Sequence, residues 1–281
     1  IRSLVVFGKT DGAATLEDKT RHVARCAASA VIDQFGGADL RRRTWQIFST
    51  GCEGIASPIC VSVAATEQIA AASSALTEGM VVGAARSAPI LDAKRCTKDH
   101  VLVAADCVVQ AMAGAGISAG DVSLILVKSP VRLQHGGIGG QHSGSTGASR
   151  GAAALGSAIA LGEVSVEGLS SDPILADPAF ASRTMAFSGT ESDCVEAIVF
   201  GTRKGGDPDW AITQVILKDF LDVESISLMK RPAGFDPLLI LFKAAIAADG
   251  TLRGRRTTIF SGDLAPDKHL RAAASGFIGA L

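Results

Sequence analysis

The sequence predicts a mixed α/β (α+β) fold that consists of three similar sheet-plus-helix repeats. An apolar segment ending in a lysine occurs three times, at residues 4–9, 124–128 and 239–243. The lysines, Lys9, Lys128 and Lys243, are 119 and 115 residues apart, and this near-regular spacing indicates a repeat of domain size. Short predicted strands are also mixed with longer helices, which is the pattern of sheets packed against helices. The predicted repeats are residues 1–95, 96–206 and 207–281, the third being incomplete.

Each predicted element follows from the spacing of apolar residues. Short runs rich in Val, Ile, Leu and Phe indicate buried strands, and apolar residues three or four apart indicate helices. The predicted strands are 1–9, 45–48, 61–64, 80–86, 124–128, 182–187, 195–200, 239–243 and 255–260. The predicted helices are 18–34, 100–113, 149–161, 211–222 and 266–274. Glycines predict where these elements end. Gly36-Gly37 ends the first helix, Asp249-Gly250 forms a hairpin turn, and residues 135–148 form a glycine-rich loop that could act as a lid.

The composition excludes several classes of function. With 281 residues and a net charge of −1, the chain lacks the basic surplus expected of a protein that binds nucleic acid or an anionic membrane. No apolar run approaches membrane-spanning length, and no signal peptide opens the sequence. The six cysteines form no CxxC pair and no metal-ligand spacing, which favours reduced thiols in a cytoplasmic protein. His135 and His142 lie in the glycine-rich segment, where we expect solvated side chains rather than metal ligands.

Two serines follow the first two lysine strands in similar surroundings. Ser49 precedes Thr50-Gly51, and Ser188 precedes Gly189-Thr190. A serine that leaves a strand into a glycine turn can expose its hydroxyl beside free backbone N–H groups, which can stabilise an oxyanion. A neutral lysine nearby could accept the serine proton. For either serine alone, a hydrogen bond to the local backbone is the simpler explanation. A single lysine at a strand end would likewise be a surface residue. Three lysines at matched spacing favour a shared functional site instead.

One arginine accompanies each repeat, namely Arg21, Arg150 and Arg271. Each falls on or near a predicted helix, and its guanidinium group offers forked donors to a carbonyl oxygen. A neighbouring guanidinium would also lower the pKa of a site lysine by like-charge repulsion. The alternative is a solvated helix face, which we favour most for Arg271.

Several segments together resemble the cyanuric acid hydrolase/barbiturase family, over almost the whole chain and in the same order. The most specific are Ser149-Arg150-Gly151-Ala152-Ala153-Ala154-Leu155-Gly156 and Asp249-Gly250-Thr251-Leu252-Arg253-Gly254-Arg255-Arg256. Residues 8–12, 48–54, 127–130 and 182–191 are also similar. The resemblance implies three equivalent domains with pseudo-threefold symmetry around one central site. Each domain would supply a Lys–Ser pair and an arginine, and serine attack would open a cyclic amide without a catalytic metal. A six-membered ring of alternating C=O and N–H groups looks alike from three directions, which suits three such repeats.

The sequence departs from the family pattern at three places. In the second repeat, the position four residues before Glu191, where the family has its attacking serine, is Phe187. In the third repeat, Asp267-Lys268 replaces a threonine–arginine dipeptide, which leaves Arg271 one turn further on. The family's final serine-containing segment, with its metal-binding glutamate, would lie beyond Leu281. Ser261 imitates that serine, but it follows Lys243 too closely and we exclude it.

These observations predict ring-opening hydrolysis of a cyclic amide such as cyanuric acid or barbituric acid. Ser188 is the predicted nucleophile and Lys128 its base, and Ser49 with Lys9 is the competing pair. The predicted substrate-binding residues are Lys9, Ser49, Thr50, Lys243, Arg21, Arg150, Arg271 and Gly189. No metal is assigned to the site and no cofactor to catalysis, while a structural metal ion is left open. The resemblance also implies a homo-oligomer, specifically a tetramer.

Two alternatives to an enzyme of this kind remain open. Missing or shifted serines could leave a protein on the same scaffold that binds a planar cyclic imide without opening it. A metabolic α/β protein whose three lysines are incidental is the other alternative. In the first two interpretations the partner is a small-molecule cyclic imide, and neither a nucleic acid nor a membrane is expected.

Overall fold

The computed structural model confirms the mixed α/β class. It describes residues 1–12, 18–52, 56–66, 77–131, 145–169, 181–219, 221–228, 238–243, 251–256 and 266–280. The strands are β1 (Ser3–Thr10), β2 (Thr44–Thr50), β3 (Ile59–Ala65), β4 (Glu78–Arg86), β5 (Val122–Pro130), β6 (Thr184–Gly189), β7 (Glu196–Lys204), β8 (Thr251–Leu252) and β9 (Arg255–Arg256). The helices are α1 (Thr20–Arg42), α2 (Lys98–Ala115), α3 (Ser145–Ala160), α4 (Val223–Leu228) and α5 (Pro266–Gly279). Short 3₁₀ turns cover Asp92–Lys94, Ala119–Asp121 and Val166–Gly168.

Some sequence predictions fall outside the described residues. They are Ser261, His135, His142, the Asp249-Gly250 turn, residues 257–260 of the predicted strand 255–260, and most of the glycine-rich segment, of which residues 145–148 begin α3. In the part of the chain that the structure describes, no helix is both long and apolar enough to cross a membrane.

Two sheets carry the first two lysine strands. The first sheet has the strand order β2-β1-β3, and the second has the order β4-β7-β5-β6. In each sheet the lysine strand lies between a parallel and an antiparallel neighbour, β1 between β2 and β3, and β5 between β6 and β7. A helix, α1 or α3, connects each parallel pair, since parallel strands need a crossover connection. The two sheets therefore repeat one β–α–β–β arrangement.

Strand β4 belongs to the second sheet. It pairs antiparallel with β7 from Glu78↔Lys204 to Arg86↔Glu196, although the predicted boundary at residue 95 assigns it to the first repeat. The following helix, α2, also contributes Ala104, Val108 and Ala111 to the apolar core under the second sheet. Strand pairing and packing thus group the described residues between 78 and 204 around this sheet.

The two sheets face each other across an apolar core. Successive side chains of a strand point to opposite faces of its sheet. In β5, Leu126 packs against the first sheet, while Ile125 and Val127 pack against the helices. The core between the sheets consists of Val5, Phe7, Ile47, Leu126, Phe187, Ile198 and Phe200. The same alternation directs Lys9 and Lys128 into the space between the sheets, at the ends of β1 and β5.

Glycines end the helices where the sequence predicts. Gly37 has a φ of 61° and interrupts α1 close to the predicted end, although a further short helical segment continues the element to Arg42. Gly116, with a φ of 69°, caps α2 in the left-handed conformation. This conformation is common after a helix and strongly favours glycine. α5 confirms the predicted C-terminal helix and extends it to Gly279.

Two predictions for the third repeat are wrong. Residues 211–219 form no helix, and residues 238–243 form no strand. The helix in this region, α4, begins at Val223, because Asp222 caps it by accepting hydrogen bonds from the Ser225 N–H at 3.2 Å and the Ser225 hydroxyl at 2.7 Å. The hairpin turn between β8 and β9 is made by Arg253 and Gly254, with φ of 52° and 76°.

Candidate active site between the two sheets

The residues opposite the two sheet lysines differ. In the register of β1 and β2, Lys9 pairs with Ser49. In the register of β5 and β6, Lys128 pairs with Phe187, and Ser129 pairs with Ser188. Phe187 therefore holds the position in the second sheet that Ser49 holds in the first. We call Lys9 with Ser49 the Lys9 pair, and Lys128 with Phe187 the Lys128 pair.

Ser188 lies on the other face of the second sheet from Lys128. Phe187 and Met185 pack between the sheets, whereas Ala186, on the same face of β6 as Ser188, packs against the helices. The Ser188 hydroxyl donates to the Thr146 carbonyl oxygen of α3 at 3.1 Å. The structure therefore does not bring the expected Ser188–Lys128 nucleophile and base together, because a shift of one residue along a strand reverses the side-chain direction.

The Lys9 pair brings an amine and a hydroxyl together. Lys9 Nζ lies 3.5 Å from Ser49 Oγ and 3.5 Å from the Thr50 carbonyl oxygen. Ser49 Oγ itself donates to the Thr50 carbonyl oxygen at 3.2 Å. Gly51 follows with a φ of 122°, which glycine adopts without strain, and its N–H donates to the Thr10 carbonyl oxygen at 3.3 Å. Of the residues predicted to react, Ser49 and Lys9 are the pair whose hydroxyl and amine lie within reach of each other.

Lys128 has an acidic partner instead of a hydroxyl. The side chain is 1% exposed, forms an ion pair with Glu191 Oε1, and donates to the Phe48 carbonyl oxygen at 3.0 Å. Burial lowers the pKa of Lys128 to about 8, because the low-dielectric interior disfavours the charged form. Glu191 opposes this shift, while Arg21 and Arg25 add to it. Lys128 is thus held in place by a buried carboxylate and a backbone carbonyl.

Glu191 connects the second sheet to α1. Its Oε2 accepts a hydrogen bond from Arg21 Nε at 3.1 Å, and Arg21 Nη1 donates to Thr50 Oγ1 at 3.3 Å. Burial alone would raise the pKa of Glu191, but Lys128 and Arg21 together hold it below its ordinary value. A Cβ atom at Gly189 would lie 2.0 Å from Glu191 Oε2, so glycine leaves the space that this carboxylate fills. Sequence analysis missed the role of Glu191, although the segment Ser188 to Glu191 contained the signal.

The third lysine joins the same region. Lys243 Nζ lies 5.0 Å from the centroid of the Phe187 ring, and Lys9 Nζ lies 6.0 Å from it. Residue Lys243 retains exposed surface, but its ammonium group is crowded by protein atoms, and this burial lowers its pKa to about 7. Four like charges lower it further, namely those of Arg150, Lys9, Lys128 and Arg271. The three lysines therefore converge around Phe187, with Arg150 and Arg271 close enough to act on Lys243.

A buried Ser–His contact in the second sheet is not arranged for catalysis. Ser129 Oγ lies 2.8 Å from His100 Nε2 and 2.8 Å from Ser149 Oγ. The Cys96 N–H donates to His100 Nδ1 at 3.0 Å, so Nε2 carries the proton of the neutral ring and donates it to Ser129. Burial lowers the pKa of His100 to about 4, which keeps the ring neutral. This network joins the end of β5 to the beginning of α3, on the helix side of the sheet. Among the described residues, no group of three or more His, Cys, Asp or Glu side chains could hold a metal ion.

A lysine–serine pair with further cations around it has the groups that nucleophilic attack on a carbonyl group requires. The chain belongs to the ring-opening amidohydrolase family, whose model, described as "Amidohydrolase ring-opening protein", matches residues 2–281. This finding confirms the family predicted from the sequence motifs, and with it the expectation of an amidohydrolase.

Several proteins are similar to this chain over nearly its whole length. A cyanuric acid amidohydrolase from Methylobacterium sp. (strain 4-46) is 30% identical over 307 residues, which cover 99% of this chain and 81% of that protein. A cyclic amide hydrolase from Azorhizobium caulinodans is 28% identical over 306 residues, with 99% and 83% covered. The crystal structure of the cyanuric acid hydrolase from A. caulinodans superposes with a TM-score of 0.78 at 27% identity, over 98% of this chain and 81% of that chain.

Proposed function

We propose that this chain opens a planar cyclic amide by hydrolysis at the site between the two sheets. The observation that carries the proposal is the Lys9 pair, in which an amine lies 3.5 Å from a serine hydroxyl next to the other two lysines. Family membership supports the reaction class. The names of the relatives suggest cyanuric acid as one substrate, and barbituric acid has the same ring size and a similar arrangement of carbonyl groups.

The chemistry assigned to the Lys9 pair proceeds in two halves. Ser49 Oγ forms a bond to a ring carbonyl carbon, and its proton passes to the unprotonated amine of Lys9. The ring C–N bond then breaks, and the departing nitrogen takes the proton from Lys9, which leaves an acyl ester on Ser49. A water molecule attacks this ester while Lys9 accepts its proton. Release of the Ser49 oxygen, which takes that proton back from Lys9, yields a ring-opened carboxylic acid.

The surrounding cations have two separate roles in this proposal. Lys243, Arg150 and Arg271 supply positive charge that stabilises the oxyanion formed during attack. Lys128 and Arg21 act indirectly, since both contact Glu191 and thereby fix the wall of the site beside Thr50. We further propose that the Lys243 segment belongs to a third unit, which together with the two sheets surrounds the ring with pseudo-threefold symmetry.

The test is ring opening by the purified protein and by two serine variants. With cyanuric and barbituric acid as substrates, Ser49→Ala should lower single-turnover ring opening by about 10³-fold or more, because the nucleophile is lost. Ser188→Ala is the matched control, since its hydroxyl lies on the helix side of the same region, and it should retain activity. Loss of ring opening in Ser188→Ala alone would contradict the assignment of Ser49.

A ring-binding protein without activity is the second candidate, and Phe187 is the observation that favours it. The position that the family resemblance assigns to the attacking serine carries a phenyl ring in this chain. A binder would gain thermal stability with cyanuric or barbituric acid, yet would release no ring-opened product. Product formation that disappears in Ser49→Ala excludes this candidate.

A further inference from the structure

Phe187 occupies the centre of the lysine cluster. It lies opposite Lys128 in the register of β5 and β6, and the ammonium groups of Lys243 and Lys9 lie 5.0 and 6.0 Å from its ring centroid. The residue is 4% exposed, and the rest of its surface is packed in the core between the sheets. A lysine ammonium within about 6 Å of an aromatic ring is attracted to its face. The Phe187 ring therefore lies within cation–π distance of Lys9 and Lys243, the two lysines that are proposed to act directly on the substrate.

The second sheet consequently offers fewer polar groups to a ligand than the first. The first sheet presents the Lys9 amine and the Ser49 hydroxyl. In the second sheet, Phe187 replaces the hydroxyl, and Lys128 is 1% exposed and already bound to Glu191 and to the Phe48 carbonyl oxygen. A planar ring bound beside Lys9 and Lys243 would therefore find polar partners on the first sheet and on Lys243, and on the second sheet the remaining edge of the Phe187 ring in place of a hydroxyl.

We infer that Phe187 determines which cyclic imide the site accepts, and that it favours a six-membered ring with carbon in place of one ring N–H. This inference rests on the proposed function, because it concerns the substrate of the same site. An N–H group that faces Phe187 gives up its hydrogen bonds to water and gains none from the protein. A methylene at that position has no such hydrogen bonds to lose, and it gains contact with the apolar ring.

Barbituric and cyanuric acid form the appropriate pair of probes. They have the same ring size and three carbonyl groups each, and barbituric acid carries a methylene where cyanuric acid carries an N–H. The quantity to measure is the ratio of kcat/KM for barbituric acid to that for cyanuric acid, in the original protein and in Phe187→Ser. We expect this ratio to fall by about tenfold or more in Phe187→Ser, because the serine hydroxyl gives the N–H edge a partner. Comparing one ratio between two proteins cancels the difference in acidity between the probes.

Two further variants separate the effect of polarity at position 187 from a general effect of replacing the phenyl ring, and they remain informative if Phe187→Ser does not fold. Phe187→Leu keeps an apolar side chain and should keep the ratio, while Phe187→Gln adds polar groups with more volume than serine and should lower it. Circular dichroism identifies any variant that does not fold. Dissociation constants measured by calorimetry in a Ser49→Ala background give the same comparison without turnover.

The outcomes separate this inference from the proposed function. Binding of both rings without ring opening overturns the proposed function, while the ratio of dissociation constants still tests Phe187. Ring opening with equal ratios in the original protein, Phe187→Ser and Phe187→Gln overturns the inference alone. A ratio that falls equally in Phe187→Leu also overturns it, because the effect would then follow the loss of the phenyl ring rather than the polarity of the residue at position 187. Binding of neither ring overturns both.

Discussion

The Lys9 pair and the Lys128 pair occupy equivalent places but carry different chemistry. Each lysine lies at the end of a strand that has a parallel neighbour, and each side chain faces the space between the sheets. Lys9 Nζ is 3.5 Å from a serine hydroxyl, whereas Lys128 lies beside a phenyl ring and forms an ion pair with Glu191. The backbone therefore positions both amines in the same way, and the residue opposite each amine decides what that amine can do.

The Lys128 pair also shows how other contacts stabilise a buried amine that has no hydroxyl opposite it. An isolated buried ammonium is strongly unfavourable, so it needs a charge partner and further hydrogen bonds. Glu191 and the Phe48 carbonyl oxygen supply these contacts, and Arg21 occupies the second carboxylate oxygen. We infer that Lys128 contributes to stability and Lys9 to reaction, and the experiments below can separate these roles.

The largest expected difference is between Lys9→Met and Lys128→Met. Lys9→Met should lower kcat/KM by roughly 10²- to 10⁴-fold, since a general base is lost, with little change in the free energy of unfolding. Lys128→Met should lower the free energy of unfolding by about 3–5 kcal/mol, because the buried Glu191 carboxylate loses a charge partner. Activity assays and urea denaturation give both quantities. Equal losses of activity and stability in the two variants would show that the pairs do not differ in role.

The next effect is the coupling between Lys128 and Glu191. Glu191→Gln alone leaves two buried cations, Lys128 and Arg21, without their shared anion, and should destabilise the protein by about 3–5 kcal/mol. Combining it with Lys128→Met should cost less than the sum of the single variants, by roughly 0.5–3 kcal/mol, since residues in contact are not additive. Urea denaturation of the four proteins measures this coupling. Strict additivity would mean that the ion pair makes no net contribution.

A smaller effect should appear in acid. The folded-state pKa of Glu191 lies below its ordinary value of 4.5. Its contribution to stability is therefore fully present above that value and is lost as pH falls through the folded-state pKa. Below it the protonated carboxyl resembles glutamine, so the difference in unfolding free energy between the original protein and Glu191→Gln should shrink. Denaturation at several pH values from neutral to acid measures that difference, and a constant gap would contradict the lowered pKa.

The sequence predicted the ends of β1 and β5 well, because apolar runs that stop at a lysine indicate where a buried strand meets a polar site. It paired Ser188 with Lys128, whereas the register of the folded strands places Phe187 opposite that lysine. Neighbouring residues of a strand face opposite sides of the sheet, so the choice depends on a register that only the folded pair of strands defines. The contact between Glu191 and Arg21, which are 170 residues apart, depends on how α1 packs against the second sheet.

The third lysine segment shows a different limit of sequence analysis. Residues 239–242 are as apolar as the β1 and β5 segments, yet Leu239 is 42% and Ile240 67% exposed, and the segment forms no strand. An apolar run predicts a strand only where a neighbouring strand is available to pair with it, and composition contains no information about that neighbour. Lys243 nevertheless lies close enough to Lys9 and Lys128 for their charges to lower its pKa.

The smallest expected effect concerns the pKa of Lys243, and it extends the comparison to the third lysine. Burial and four neighbouring cations, Arg150 first among them, lower this pKa to about 7. Replacing Arg150 with Met removes one like charge, so the pKa of Lys243 should rise toward its ordinary value of 10.5. NMR titration of ¹³C-labelled lysine side chains, with Lys243→Met to assign the signal, measures the shift.

Arg42→Gln is the matched control for this titration, because Arg42 is exposed, pairs with Asp39 and is not among the cations that act on Lys243. It should leave the titration unchanged. The pKa of Lys128 should move much less in Arg150→Met, since the charges that act on it most are those of Glu191, Arg21 and Arg25. A rise for Lys243 alone would mean that Arg150 lowers the pKa of Lys243, while Glu191 acts mainly on Lys128. An unchanged pKa of Lys243 in Arg150→Met would remove Arg150 from the cluster and leave burial as the main cause of the shift.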